Sequence, residues 1–273
     1  MTTTTITTTS TIAASQATHG NVPKGYSPST RVEPIPRPDF PHHQYPRWIG
    51  HKFTPTGQVL PFPGNTVLCH LSQSSALHAS LTGLHTLLSQ HGLSHCFALL
   101  PPSSYHMTFY EGITYRIPTS TNWPAPEILP YDCSLGQCHA HVISRLSTLR
   151  LGSTGGGPPY KLRIAGFEPL TDGIAFKLVP ENATEEKRMR NLREQMADSV
   201  GVRQPGFGVY GFHMSLGYCL KWLSEEETKE VSDVLDEWLQ ENRTVSDEGV
   251  EFGAPEVCVY DDMTGFRRVF YLE

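Results

Sequence analysis

From Trp48 onward, short apolar or alternating runs are interleaved with windows whose apolar positions recur every three to four residues, the pattern of strands mixed with amphipathic helices. The first strand is expected over residues 66–71. Ser74 or Ser75 is placed to cap a helix running to about His91, with Leu77, Leu81, Leu84, Leu87 and Leu88 on one apolar face. Residues 96–100 and 105–110 read as two strands joined by a Pro101-Pro102-Ser103-Ser104 turn, and residues 135–151 as a second helix ended by Gly155-Gly156-Gly157-Pro158-Pro159. Beyond that breaker the pattern gives a hairpin over 160–167 and 173–179, a charged helix over 184–200 and a strand over 209–219. A helix capped by Ser224 follows, with Glu227 at the capping-box position, and then strands near 250–260 and 267–272. The two halves echo each other, and the whole reads as an α+β domain.

Before Trp48 the pattern is absent. Residues 1–46 are Thr/Ser-rich and then Pro-rich, and Pro23, Pro28, Pro34, Pro36, Pro38, Pro41 and Pro46 deny any regular ladder. A dispensable tail is expected there, the alternative being a lid in which Tyr45, Pro46 and Trp48 cross the mouth of a site.

Length and charge narrow the function classes. The 273 residues allow one large domain or two lobes sharing a site, and a net charge of −6 gives no basic field for gripping long duplex nucleic acid. No apolar run approaches the roughly 20 residues of a membrane span. The threonine-rich start lacks the basic-then-apolar order of a secretory signal, so a cytoplasmic location is expected, with the six cysteines reduced.

The chemistry resides in two strands, Tyr105-His106-Met107-Thr108-Phe109-Tyr110 and Phe212-His213-Met214-Ser215-Leu216-Gly217-Tyr218. Strand alternation turns His106, Thr108 and Tyr110 one way and Met107 and Phe109 the other; His213 and Ser215 oppose Met214 and Leu216 in the same manner. Two imidazoles facing each other suit in-line phosphoester cleavage, one accepting a proton and the other donating one, with Thr108 and Ser215 as donors to phosphate oxygens. Spacing alone does not single out these pairs, because His-x-Ser/Thr recurs at His70/Ser72 and His78/Ser80. The shared His-Met-hydroxyl-apolar order inside apolar strands does, and His70 and His78 are left outside the site.

These paired motifs resemble the two-histidine (2H) phosphoesterase superfamily, over roughly residues 48–273. Lys52-Phe53, Pro61-Phe62-Pro63-Gly64-Asn65-Thr66 and His106-Met107-Thr108-Phe109-Tyr110-Glu111-Gly112 are further similar to a functionally uncharacterised branch of it. The resemblance implies a bilobal fold of two pseudo-symmetric lobes, each with a mainly antiparallel sheet and helices, a cleft between them, and metal-independent chemistry on 2′,3′-cyclic phosphates. The lobes are expected over about 47–155 and 160–273, and His106, His213, Thr108 and Ser215 carry the motif roles.

Among flanking residues, Tyr105, Tyr110, Tyr210, Phe212 and Tyr218 are candidates to stack on a base or donate to a phosphate, with Tyr110 favoured because it shares the histidine face. Arg163 and Lys177 are the candidate phosphate cations, and Asn65 and Thr66 either line the cleft or serve a turn. Cys133-x4-Cys138-His139-x-His141 lacks metal-ligand spacing, so no metal and no cofactor are expected. The expected function is a monomeric cyclic phosphodiesterase, a hydrolase of a small nucleotide or an RNA 3′-end. The alternatives are histidine acid/base chemistry on a non-nucleotide metabolite, or a non-catalytic nucleotide-binding module.

Overall fold

The computed structural model describes residues 44–115, 121–154, 157–244 and 248–273. The expected tail therefore lies outside the described residues except for 44–46, as do Gly155 and Gly156 of the breaker. The described chain forms an α+β fold with nine strands and four α-helices, here labelled in chain order.

One sheet has four antiparallel strands: β1 (Gly64–His70) lies between β3 (His106–Tyr110) and β8 (Glu256–Tyr260), and β9 (Arg267–Tyr271) flanks β8. The second has five, β2 (Phe97–Leu99), β6 (His213–Cys219), β5 (Gly173–Pro180), β4 (Tyr160–Phe167) and β7 (Val250–Phe252), in that spatial order. Sheet membership does not follow the two halves of the chain. β2 leaves the first half to pair with β6, while β8 and β9 return from the C-terminal end to complete the sheet of β1 and β3. The run read as one strand over 250–260 is two strands in different sheets, interrupted at Gly253-Ala254-Pro255, where Pro255 has no N–H to offer a ladder.

The helices follow their caps. α1 (Ala76–Gln90) starts at Ser75, whose side chain accepts from the His78 N–H, and buries Leu77, Leu81, Leu84 and Leu88; Leu87, expected on that face, is 47% exposed. α2 (Leu135–Leu146) and α4 (Glu225–Glu241) both open with complete capping boxes, Ser134 with Gln137 and Ser224 with Glu227, so orphan helix donors are satisfied reciprocally. α3 (Ala183–Val200) is capped by Asn182 and stops at Gly201, which adopts the left-handed conformation at φ 82°.

Glycine is required where the lobes turn tightly. Gly112, at φ 63°, follows β3 with its Cα against the Asn65 carbonyl, which a Cβ would overlap. Asn65 is fully buried beneath it, its Oδ1 accepting the Ile113 N–H at 2.9 Å, so its role is the turn rather than the cleft.

Candidate functional site

β3 is an edge strand of the four-stranded sheet and lies beside β6 of the five-stranded sheet, so the two histidine strands meet where the sheets adjoin. On β3, His106 and Thr108 are half-buried while Met107 and Phe109 are buried; on β6, His213 and Ser215 stand against buried Met214 and Leu216. Both pairs line one cleft of about 690 Å³.

Each imidazole is held the same way. His106 Nδ1 lies 2.6 Å from the Ser104 carbonyl oxygen and His213 Nδ1 lies 2.9 Å from the Gly211 carbonyl oxygen. A carbonyl only accepts, so Nδ1 carries the proton in both rings, and in each neutral ring Nε2 has the free lone pair. The neighbouring hydroxyls are matched as well: the Tyr210 hydroxyl hydrogen-bonds the Thr108 side chain, and the Tyr218 hydroxyl hydrogen-bonds Ser215. Burial pushes both tyrosines well above their usual range, so both stay neutral.

The surroundings differ between the two histidines. The His106 ring packs edge-on against Phe266, with centroids 4.3 Å apart, and its pKa is lowered to about 4, chiefly by burial, with the charges of His70, His213 and Lys52 adding to the shift. His213 is stacked at a tilt on Tyr210, with centroids 5.6 Å apart.

Lys52 is the cation that the sequence reading missed. Its Nζ donates to the Tyr218 hydroxyl at 2.9 Å and sits 3.9 Å from the Trp48 ring centroid and 4.6 Å from that of Tyr218. Nothing in the sequence brings Lys52 to a tyrosine 166 positions away. Of the two expected cations, Arg163 is exposed on β4 opposite Val179 and does not line the cleft; Lys177 is exposed opposite His213, outside the lining. For Arg163 the reason is distance across the sheet: β4 is two strands removed from β6.

Two bulges decide which tyrosine reaches the site. Thr108 faces Leu68 in register but Tyr110 faces Val67, one residue along rather than two, so Phe109 is an inserted residue and Tyr110 is turned away from the histidine face. Tyr110 is fully buried and donates its hydroxyl to the Val202 carbonyl at 2.8 Å, which overturns its expected place in the cleft. On β6, Ser215 faces Ala175 and Tyr218 faces Gly173, two residues apart on β5, so Tyr218 shares the Ser215 face despite the odd spacing. The matching position after β3 is Glu111, which also lines the cleft. Tyr105 and Phe212 are core residues, and Thr66 lines the cleft while its Oγ1 donates to the Tyr110 carbonyl at 3.0 Å.

Arg193 anchors this arrangement from beneath. Buried in α3, it donates to the Phe109 carbonyl and, at 3.2 Å, to Glu111 Oε2, and its guanidinium lies 4.0 Å from the Tyr210 ring centroid. The Cys133–His141 group is absorbed by packing: the Asn65 amide nitrogen approaches Cys138 Sγ at 3.6 Å, and His141 Nε2 meets the Val200 carbonyl at 2.9 Å. No helix among the described residues is long and apolar enough to cross a membrane.

A family model described as 2H-phosphodiest, domain of unknown function (DUF1868), matches residues 52–172. That stretch holds Lys52, His106 and Thr108, while the second pair falls beyond it. A solved structure of a conserved protein of unknown function from Agrobacterium tumefaciens is 28% identical, with a TM-score of 0.74 over 84% of this chain and 94% of that one. No curated protein matches.

Proposed function

The family model and the structural neighbour together point to the two-histidine phosphoesterase superfamily, and on that premise we propose that the chain hydrolyses a 2′,3′-cyclic phosphate by general acid/base catalysis without a catalytic metal. One observation carries the reading: two imidazoles, each oriented by the carbonyl two residues upstream, line one cleft with a hydroxyl beside each. In the proposed step His106 Nε2 takes a proton from water as the water oxygen bonds to phosphorus. The ring P–O bond breaks in line, and imidazolium His213 protonates the departing ribose oxygen. Thr108, Ser215 and Lys52 donate to the non-bridging oxygens, where charge accumulates. The product is a phosphomonoester.

The cleft lining favours a small nucleotide over an RNA end. Glu111, Glu168 and Asp172 line it against Arg47 and Lys52, a balance suited to one phosphate rather than a polyanion, and Trp48, Tyr260 and Phe266 offer apolar faces to a base. The test is turnover of 2′,3′-cyclic nucleotides in chelator, alongside unrelated small metabolites. Turnover of a non-phosphate compound and of no cyclic phosphate would replace this reading with metabolite acid/base chemistry.

The role of base goes to His106 because burial keeps it neutral to low pH. A base works only unprotonated, so kcat/KM is expected to hold as pH falls through 6 and to drop only near pH 4, the value of the free protein. A bound phosphate adds negative charge and favours the imidazolium form, so the acid limb of kcat should lie at higher pH than that of kcat/KM. Coincident limbs above pH 6 in both profiles would reverse the two roles.

Lys52→Met removes a charge-assisted contact to the phosphate. KM is expected to rise by about 10–100-fold, the equivalent of roughly 1.5–3 kcal/mol. The same change removes one positive charge acting on His106, so the acid limb of kcat/KM should move to higher pH. Steady-state kinetics against pH read both effects, and an unchanged KM would take Lys52 out of phosphate binding.

A further inference from the structure

We propose that His70, Glu256 and Cys258 form a site for a zinc-class divalent ion, on the four-stranded sheet beside the histidine cleft and taking no ligand from the catalytic pair. The three side chains come from the neighbouring strands β1 and β8, and their ligand atoms all lie within 4.8 Å of one another. His70 Nδ1 is 3.0 Å from Glu256 Oε2, close to the roughly 3.3 Å edge of a tetrahedron built on zinc bonds of about 2.0–2.1 Å. One nitrogen, one oxygen and one sulfur donor form a set that suits zinc or cobalt and disfavours magnesium or calcium.

Two features go beyond proximity. Cys258 is fully buried, and its Sγ has no hydrogen-bond partner among the described residues, whereas the thiols of Cys69 and Cys219 each donate to a carbonyl at 3.6 Å. Its sulfur is thus aimed at the cluster with nothing to satisfy it. The ligand charges also balance: one thiolate and one carboxylate neutralise a dication, with the charge of Arg268 left on a side chain that is 46% exposed.

Arg268 now shares Glu256 Oε2 at 3.2 Å, and the same nitrogen reaches the Tyr271 hydroxyl at 2.5 Å while the guanidinium lies 4.2 Å from the Tyr271 ring centroid. Arg268 therefore has a second seat when the carboxylate turns to an ion. On binding, the Cys258 S–H bond breaks and its proton leaves to solvent while sulfur bonds to the metal. The proton that His70 Nδ1 now donates to Glu256 leaves that nitrogen, and the freed lone pair bonds to the ion. Water completes the fourth position.

The test uses the full chain, stripped with chelator and titrated with Co²⁺ and Zn²⁺ under reducing conditions. One equivalent is expected to bind, with a thiolate-to-cobalt charge-transfer band in the near ultraviolet and release of a proton. Cys258→Ser should abolish the band, and His70→Gln should weaken binding by about 100-fold or more, each variant first checked for an unchanged thermal midpoint. The double variant His106→Ala/His213→Ala should keep both the band and the affinity, because the cleft supplies no ligand. Should Cys258→Ser fail to fold, His70→Gln and the cleft double variant still decide the matter. Absence of the band, binding insensitive to His70→Gln, or binding lost with the cleft histidines would overturn the site. None of these results bears on phosphodiester turnover, which is measured in chelator.

Discussion

Replacing either His106 or His213 by alanine is expected to lower kcat/KM on a 2′,3′-cyclic nucleotide by about 10²–10⁴-fold, or roughly 3–5 kcal/mol of transition-state stabilisation. The size follows from the roles: each imidazole moves one proton in the same step, and the hydroxyls and Lys52 supply binding but no proton transfer. The double variant should fall little below the worse single one, because half of a concerted acid/base pair accomplishes little alone. The variants should also differ in kind. His106→Ala should remove the acid limb of the pH profile, whereas His213→Ala should leave that limb in place. Free imidazole should restore part of the lost rate in either. Both rings are only half-buried and stand on the cleft face, so thermal midpoints should stay near that of the wild type. Wild-type rates in both variants would end the acid/base mechanism, and complete loss of wild-type activity in chelator would end its metal independence.

Arg193→Met should cost the most stability of any single change near the site. The guanidinium is 1% exposed, and it satisfies both the Phe109 carbonyl and the Glu111 carboxylate. Methionine fills much of the volume but leaves the buried Phe109 carbonyl unsatisfied and the partly exposed Glu111 carboxylate without its partner, together a loss of about 3–5 kcal/mol. At roughly 2–4 °C per kcal/mol for a chain of this size, the thermal midpoint should drop by about 6–20 °C. Function should suffer as well, because Tyr210 rests on that guanidinium and holds Thr108. Adding Glu111→Gln to Arg193→Met should recover part of the stability by removing the stranded charge. A midpoint unchanged in Arg193→Met, or equal losses with and without Glu111→Gln, would show that the Arg193–Glu111 pair does not hold the strand ends together.

Local features are legible along the chain alone. Ser224 with Glu227 announces a helix because a capping box is satisfied within four residues. The alternation around His106 and His213 set imidazole and hydroxyl on one face because pleating is a property of a single strand. Tertiary structure decided what depends on a partner. Whether a residue past the dyad faces the cleft hangs on one inserted residue, Phe109 in β3 and its counterpart in β6, and an insertion exists only relative to the strand opposite. That is why Tyr110 is in the core while Tyr218 and Glu111 line the cleft. The split of residues 250–260 between two sheets, the arrival of Lys52 beside Tyr218, and the pairing of His70 with His106 in register likewise come from contacts between distant segments. Burial of the whole apolar face selects those contacts, and no window of neighbouring residues contains them.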